Sequence, residues 1–241
     1  MKSGSWRDVQ SAARAADRAA DRAAADKGLP GMPKEELVRF IDISPPINDA
    51  IKNWPGDIPY KMEKSSDVHK DGIDIGSMHT SFHVGAHTDA HRHYATDGPD
   101  AATMPLTAYY GPCQVIETTT ARGKRILPAH LTSPITTPRV LLKTGTFPDP
   151  TEWNEDFAAP DPKLIDHLAD AGCILVGLDT PSTDLFASKG LEAHKRLFAR
   201  GMVNLEGLVL AHVKPGTYTL IALPLRLEGA DASPVRAVLI P

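Results

Sequence analysis

The order of apolar and polar residues along the chain predicts a strand-rich α/β domain. Short apolar runs with the length and β-branched content of strands recur from residue 37 onwards. They cover residues 37–43, 113–118, 139–144, 173–178, 218–225 and 235–240. Segments of helix-forming composition lie between them, at residues 128–131, 162–171 and 188–200. We therefore predict one mixed α/β domain over residues 37–241, with an extensive mixed sheet, flanking helices and no sequence repeat.

Residues 1–36 differ in composition from this domain. Residues 12–26 read AARAADRAADRAAAD, in which Arg14, Arg18 and Arg22 recur every four residues, with aspartates placed for ion pairs along a helix. This pattern predicts a helical extension that stops near Gly28. Its apolar face is almost entirely alanine, which buries little area. We therefore favour a mobile extension over an arm that packs on a neighbouring subunit.

The net charge, the cysteines and the lack of long apolar runs limit which partners the protein is expected to bind and where in the cell it is expected to be found. The net charge of −4 and the pI near 6.2 give no reason to expect nucleic acid or an anionic membrane as a partner. Cys113 and Cys173 form no CxxC pair, so we predict buried, reduced thiols. The chain lacks an apolar run long enough for a membrane span and the apolar core of a signal peptide, which predicts a cytoplasmic protein.

Candidate chemistry is concentrated in the stretch FHVGAHTDAHRH, which begins at residue 82. Five of the chain's 10 histidines fall in one short window, at His79, His83, His87, His91 and His93. A carboxylate, Asp89, lies among them. Imidazole and carboxylate are ligands of zinc, manganese and iron, and clustered imidazoles beside a carboxylate have no packing rationale. The window therefore predicts a metal site.

The spacing within this window leaves two local conformations open. Histidines four residues apart share one helix face, but β-branched residues and Gly85 weaken a helix here. On a strand, the odd-numbered residues point to one side, but an extended chain from His83 to His93 would span roughly 33 Å. No single metal site is that wide. We therefore expect the chain to leave a strand and turn within the motif, with Gly85 as the residue best suited to allow it.

Three further candidates lie outside the window. Trp54 belongs to a WPGD turn, where it is either a substrate contact or a turn residue packed on the surface. His194 falls on the predicted helix at residues 188–200 and is either a ligand or an exposed helix residue. Glu206 lies in an apolar run, where a carboxylate needs a partner or a metal. A Walker loop, a GxSxG elbow, an HExxH helix and a dinucleotide fingerprint are all missing from the sequence, which removes the commonest competing enzymes.

Several motifs together resemble the metal-dependent cyclase family. These are the WPGD turn, HxGAHxDxxxH from His83 to His93, GLDTPSTD, NLEGL and LIALPLRLEGADASPVRAVL. The likeness covers about residues 40–240 and is greatest to bacterial members that hydrolyse N-formyl-L-kynurenine, a small aromatic formamide, to L-kynurenine and formate. It implies a mixed fold with an extensive sheet, the swivelling β/β/α-like architecture of the family, and a homodimer.

The resemblance also implies a ligand set for two divalent metal ions per chain, zinc in the first place or manganese. His83, His87 and Asp89 would bind the first ion, with Asp89 bridging to the second. His194 would bind the second ion, and Glu206 would bridge both. Two such ions would activate a water at neutral pH for attack on the formyl carbon.

The same resemblance assigns roles to residues around the metals. His93 would be the proton donor and acceptor, and Trp54 would contact the substrate. The chain departs from the family at His91, where the family usually has a proline, and we expect His91 to line the site. Two alternatives stay open at this point: hydrolysis of another amide or lactam such as isatin, and metal binding without catalysis.

Overall fold

The computed structural model describes residues 38–241, so the predicted helical extension at residues 1–36 lies outside the described part of the chain. Within the described residues, the strands are β1 Ile41–Asp42, β2 Lys61–Ser66, β3 Ile75–His79, β4 His87–Asp89, β5 Tyr110–Glu117, β6 Arg125–Ile126, β7 Arg139–Lys143, β8 Ala159–Pro160, β9 Leu175–Leu178, β10 Val203–Leu205, β11 Gly216–Ile221, β12 Ala232–Pro234 and β13 Val238–Ile240. The α-helices are α1 Val68–Asp71, α2 Pro162–Asp170 and α3 Glu192–Ala199.

Seven of these strands form one mixed sheet, in the order β1-β13-β11-β5-β7-β9-β10. Strands β5, β7, β9 and β10 are parallel to one another, whereas β11, β13 and β1 extend the sheet from β5 by antiparallel pairing. Three two-stranded ribbons complete the strands of the described residues: β12-β4, β2-β3 and β6-β8. The prediction of a mixed α/β domain with an extensive mixed sheet is confirmed.

The apolar runs of the central strands are buried on both faces of the sheet. In β7, Val140 and Leu142 pack with the helical layer of α2 and α3, whereas Leu141 between them packs with the opposite cluster around Tyr109 and Leu205. Alternate residues of a strand point to opposite faces, so a run without polar breaks indicates a strand covered on both sides. This is why residues 139–144 could be predicted as a strand from their sequence.

Helix α2 begins and ends near the predicted residues. Asp161 caps its first turn by accepting a hydrogen bond from the Lys163 N–H at 2.9 Å, and Pro162 occupies the first helical position. Leu164, Ile165 and Leu168 bury one face of the helix against the sheet. Helix α3 is shorter than predicted, because residues 188–191 precede it as a turn and Leu191 adopts a left-handed conformation with φ 50°.

Other element bounds differ from the predictions for local reasons. Residues 128–131 form a single 3-10 turn, Pro128–His130, in place of an α-helix. Of the run at 235–240, only Val238–Ile240 forms a strand, which joins the main sheet, whereas Ala232–Pro234, just before the run, pairs with β4. At the start of the domain, the described residues 38–43 include one short strand, Ile41–Asp42.

The hairpin of β2 and β3, joined through α1, was not predicted because its first strand reads KMEKSS, a mainly polar run. It projects from the domain with almost every residue exposed, and no residue of α1 is buried. Met62 and Met78 lie directly opposite each other and are 57% and 61% exposed. Ile73 and Ile75 are also exposed.

Cys113 and Cys173 are free and buried, and burial raises the pKa of the Cys113 thiol to about 12 and that of Cys173 to about 11. None of the helices in residues 38–241 has both the length and the apolar character that a bilayer crossing requires.

Candidate metal centre

The histidine-rich motif turns at Gly85, as predicted. Gly85 has a φ of +60°, a left-handed conformation that favours glycine. The chain then forms β4 and a 3-10 turn at His91–His93. Strand β4 pairs with β12 so that Asp89 lies opposite Ala232. The first residue of β4, His87, exchanges backbone hydrogen bonds of 3.1 and 2.9 Å with Glu206. This bridge brings residues far apart in sequence into one site.

Five predicted ligand residues converge on a buried centre. Asp89 Oδ1 lies 3.0 Å from His83 Nδ1 and 3.6 Å from His87 Nε2. Its other oxygen, Oδ2, lies 3.2 Å from His194 Nε2. The carboxylate of Glu206 is placed likewise, with Oε2 3.4 Å from His87 Nε2 and Oε1 3.3 Å from His194 Nε2. The residues form two ligand groups, His83 with His87 and Asp89, and Asp89 with His194 and Glu206.

Two buried atoms in this centre have no hydrogen-bond partner. These atoms are Nε2 of His87 and Oδ1 of Asp89. The other ring nitrogen of His87 lies 3.0 Å from the Gly85 carbonyl, which can only accept, so Nδ1 carries the proton and Nε2 presents a lone pair. Buried polar atoms are nearly always satisfied, and a second hydrogen bond that fixes the tautomer is typical of a metal-binding histidine. The donor set therefore fits a divalent metal ion.

The carboxylates of Asp89 and Glu206 are held by a network of polar side chains. Glu206 Oε1 accepts hydrogen bonds from the backbone N–H and the hydroxyl of Thr183, both at 2.6 Å. Asn204 Nδ2 donates to Asp89 Oδ2 at 2.8 Å and to Glu206 Oε1 at 2.9 Å. Burial and the charge of Asp89 act to raise the pKa of Glu206, but the contact with His194 and the positive charge of that ring outweigh them and lower it to about 2. Both carboxylates are therefore held as anions.

His194 is a buried residue of the first turn of α3, not an exposed helix residue. Its Nδ1 donates to Asp184 Oδ2 at 2.8 Å, which leaves Nε2 facing Asp89 and Glu206. Asp184 also accepts from the backbone N–H of His194 at the helix start, and Arg125 binds its other oxygen at 2.6 Å. Burial acts to raise the pKa of Asp184, but the hydrogen bond from His194 and the contact with Arg125 lower it to about 2.

Asp184 was missed in the sequence, although it ends the GLDTPSTD motif. A second missed residue, Asp231, lies in the GADASP segment just before β12. Its Oδ2 is 3.1 Å from His83 Nε2 and 3.1 Å from His93 Nδ1. Neither carboxylate lies in a histidine-rich stretch, so their only sequence signal is membership of motifs whose other residues reach the site.

The protonation of His83 and His194 depends strongly on their neighbours. Burial acts to lower the pKa of His83, but the hydrogen bond to Asp231 and the nearby negative charge of Asp89 raise it to about 10. The pKa of His194 is also raised, against the effect of burial, by its bonds to Asp184, Asp89 and Glu206. Both rings hold protons that a metal ion would displace.

The buried centre opens into a cavity of about 620 Å³ with one aromatic wall. Trp54 lines this cavity together with Phe147 and Trp153. The Trp54 ring packs 5.5 Å from Trp153 and 5.1 Å from Phe186, measured between ring centroids. His93 also lines the cavity, above the buried ligands. Trp54 is thus both a packing residue and a surface that a ligand in the cavity would meet.

His91 does not have the expected position. It lies at the start of the 3-10 turn with its side chain buried, and it is not among the residues that line the cavity. Its Nε2 is 2.8 Å from the Met202 carbonyl, and its ring packs 5.0 Å from that of Phe198. The expectation that His91 lines the site is wrong: the 3-10 turn directs alternate side chains to different sides, His93 to the cavity and His91 to α3.

The mixed sheet and this buried group of imidazoles and carboxylates, which could hold a divalent metal ion, define a protein of the α/β class with a candidate metal centre. The chain belongs to the Cyclase family, whose model matches residues 41–185. It is 43% identical over 206 residues to the kynurenine formamidase of Bordetella petrii, an alignment that covers 84% of this chain and 98% of the relative. The resemblance to the metal-dependent cyclase family found in the motifs is confirmed.

Solved structures share the fold. A potential metal-dependent hydrolase with cyclase activity superposes with a TM-score of 0.71 at 28% identity, over 84% of this chain and 98% of that one. Isatin hydrolase A from Labrenzia aggregata, bound to benzyl benzoate, superposes with a TM-score of 0.70 at 22% identity, over 84% and 93% of the two chains. At that identity the second likeness concerns the fold alone.

Proposed function

We propose that this protein is a hydrolase that converts N-formyl-L-kynurenine and water to L-kynurenine and formate. The observation that carries the proposal is the placement of the buried ligand cluster at the floor of a cavity with an aromatic wall. The cavity volume of about 620 Å³ suits a small aromatic molecule. The 43% identity to a kynurenine formamidase over nearly its full length supports the choice of substrate.

The proposed cofactor is a pair of divalent ions per chain, zinc or alternatively manganese. The two overlapping ligand groups support this number, because each oxygen of Asp89 and of Glu206 faces a different group of imidazoles. His83 and His87 would hold one ion, and His194 the other. When bound, such ions polarise a water and lower its pKa toward neutrality.

His93 is proposed as the catalytic proton carrier. It lines the cavity with its side chain 33% exposed, so it can reach a substrate above the buried ligands. Hydrolysis forms a bond between the formyl carbon and the water oxygen and breaks the bond from that carbon to nitrogen. His93 would accept a proton from the water and return it to the arylamine nitrogen as that bond breaks. Trp54 would pack against the aromatic ring of the substrate.

Turnover measured beside bound-metal content tests the proposal. The purified full chain, loaded with zinc, is assayed with N-formyl-L-kynurenine and with isatin, and its metal content is determined by elemental analysis. We expect about two zinc ions per chain and hydrolysis of the formamide in preference to isatin. Preference for isatin would assign the protein to lactam hydrolysis, and full metal loading without turnover of either compound would mean metal binding without catalysis.

We also propose that the protein is a homodimer in which the hairpin of β2 and β3 packs on a second copy. A two-stranded hairpin is marginally stable in water by itself, yet this one exposes Met62 and Met78 on one face and Ile75 on the other. Its charged residues are largely paired with each other, as Lys64 is with Asp74 at 3.0 Å. The apolar side chains therefore remain as the surface for association.

Light scattering on the full chain tests this assembly. The wild type is expected to have the mass of two chains, and Met62→Glu combined with Met78→Glu to have the mass of one. Lys70→Glu changes a charge on the same hairpin and should stay dimeric. A monomeric wild type would contradict the proposal. The cytoplasmic location stays a prediction that cell fractionation would check.

A further inference from the structure

Asp231 is fixed beside the metal-binding motif by the backbone. The residue precedes β12, whose first residue, Ala232, pairs with Asp89 of β4. The Asp231 carbonyl accepts a hydrogen bond of 2.9 Å from the N–H of Ala90. The pairing of β12 with β4 therefore fixes the backbone position of Asp231. Its side chain is one of those that line the cavity.

One oxygen of this carboxylate contacts two histidines with different proposed roles. Oδ2 of Asp231 lies 3.1 Å from Nε2 of His83, a ligand residue, and 3.1 Å from Nδ1 of His93, the proton carrier. The two rings lie 4.4 Å apart between centroids. An aspartate carboxylate within hydrogen-bond distance of two imidazole nitrogens is ionised at neutral pH, far above the ordinary pKa of an aspartate.

These contacts fix which nitrogen of each ring carries the proton. An ionised carboxylate can only accept, so His83 must carry a proton on Nε2 and His93 on Nδ1. In His83 the nitrogen left for a metal is then Nδ1, which faces Asp89 at 3.0 Å and would lose its proton when an ion binds. In His93 the free nitrogen is Nε2, the one available to take a proton from a reacting molecule in the cavity. A histidine without such a partner exchanges between two tautomers and several ring orientations.

We propose that Asp231 is a positioning residue that holds His93 in the tautomer needed to accept a proton and, through the same oxygen, orients His83 toward the metal. This inference rests on the proposed function of the site and extends it to a residue outside the ligand set. Asp231 is 45% exposed on its side chain, so solvent screens its charge, and its effect is on orientation and tautomer.

Tautomer and rate are measured together in zinc-loaded full-length protein. Long-range ¹H–¹⁵N spectra of ¹⁵N-histidine-labelled protein distinguish Nδ1–H from Nε2–H, and His93→Asn assigns the His93 signals. We expect the Nδ1–H form of His93 in the wild type and a shift toward Nε2–H in Asp231→Ala. Turnover of N-formyl-L-kynurenine by Asp231→Ala should fall about 10- to 100-fold in kcat with little change in KM, the usual effect of removing an outer partner of a site histidine.

Two variants control the experiment. Asp231→Asn keeps an oxygen that can accept from both rings, so it should restore part of the rate and the Nδ1–H form. Glu228→Gln removes an exposed carboxylate from the same loop and should behave like the wild type.

Unchanged tautomer and unchanged kcat in Asp231→Ala would overturn the inference. Complete loss of zinc in both Asp231→Ala and Asp231→Asn would also overturn it, because Asp231 would then be a ligand, in the group that it forms with His83 and His93. If the wild type binds zinc but does not hydrolyse the formamide, the proposed function fails, whereas the tautomer measurement still decides the role of Asp231.

Discussion

Asp89 and His93 lie four positions apart in one motif, yet the structure gives them opposite environments. Asp89 is buried among imidazoles, and its Oδ1 has no hydrogen-bond partner. His93 is exposed to the cavity and bonds to Asp231. A residue that holds a metal must be buried and ionised, whereas a residue that transfers protons must reach the substrate. Substitutions at Asp89 and at His93 are therefore expected to affect different properties of the protein.

Substitution at these two positions is expected to separate metal binding from catalysis. Asp89→Ala removes a carboxylate that both ligand groups share, so metal and activity should be lost together. His93→Asn leaves the ligands in place, so metal content should be unchanged while kcat falls about 10²- to 10⁴-fold, the usual contribution of general acid–base catalysis. Elemental analysis and initial rates measure both. Metal loss in His93→Asn would identify His93 as a ligand.

The raised pKa of His83 predicts that metal uptake releases protons. Because this pKa is about 10 in the metal-free protein, the ring is protonated at pH 8 and an entering ion must displace the proton. Metal affinity should therefore rise with pH up to about 10 and fall as the pH is lowered. Titration calorimetry in buffers of different ionisation enthalpy measures the protons released. His83→Asn should release fewer protons, and uptake without proton release at pH 8 would contradict the assigned pKa.

The substitution His91→Pro tests the finding that His91 lies outside the site where it was expected. Ala90 before it is extended, with φ −77° and ψ 148°, and position 91 starts a 3-10 turn, so the backbone accepts proline at position 91. His91→Pro should keep its metal and its activity but lose the bond to the Met202 carbonyl, at a cost of about 1 kcal/mol. Thermal unfolding and metal analysis check this outcome. A loss of metal would mean that the ligand set has to be redrawn.

At the scale of elements, the site depends on how closely β4 approaches the end of β10. His87 and Glu206 exchange two backbone hydrogen bonds. Gly85 lies two residues before His87, Gly207 directly follows Glu206, and both glycines have a left-handed φ. A Cβ built on Gly207 would lie 2.2 Å from the carbonyl oxygen of Gly85. The backbones touch at this point, so no side chain fits there.

Gly207→Ala should therefore separate the two halves of the ligand set. Steric overlap adds to the strain of a φ of +66°, and we expect a loss of more than about 2 kcal/mol of stability together with reduced metal content. Gly172→Ala is the matched control, since Gly172 has a φ of +86° but open space around its Cβ position, and it should cost only about 1 kcal/mol. Denaturant unfolding and metal analysis compare the variants. Equal effects would mean that close approach is not what position 207 requires.

The same elements show what the sequence could and could not predict. The central strands were predictable because apolar runs buried on both faces carry their own signal, and Pro162 and Gly172 marked the ends of α2. The convergence of His87, His194 and Glu206 on one centre came from family motifs, since no periodicity links positions so far apart. Asp231 was missed because only the pairing of β12 with β4 in the folded structure brings it to the site. The hairpin was missed because its first strand is mainly polar and lacks the apolar pattern of a strand.

At the scale of the whole molecule, the ligand cluster lies where two parts of the fold meet. The β4-β12 ribbon supplies Asp89 and His87, whereas α3 and the chain after β10 supply His194 and Glu206. Gathering two carboxylates in a buried site costs free energy that only opposite charge offsets. Bound metal should therefore stabilise the folded state as a whole.

Thermal unfolding with and without zinc measures this effect. Binding to the folded state alone adds about 2.7 kcal/mol when free zinc is at 100 times its dissociation constant, so the unfolding temperature should rise with zinc concentration. Asp89→Ala should show no such rise. An unfolding temperature that is independent of zinc in the wild type would contradict a cluster built for metal.

The separation of these ligands along the chain has a consequence for how much protein a cell would hold. An ion held by both Asp89 and His194 would act as a removable cross-link across a long loop, and closing a loop of this kind lowers the entropy of the open chain. Without the ion, the ribbon and the sheet can part more often and expose backbone to proteases. Metal scarcity would then lower the abundance of the protein as well as its activity, and pulse–chase turnover in zinc-starved cells would show it.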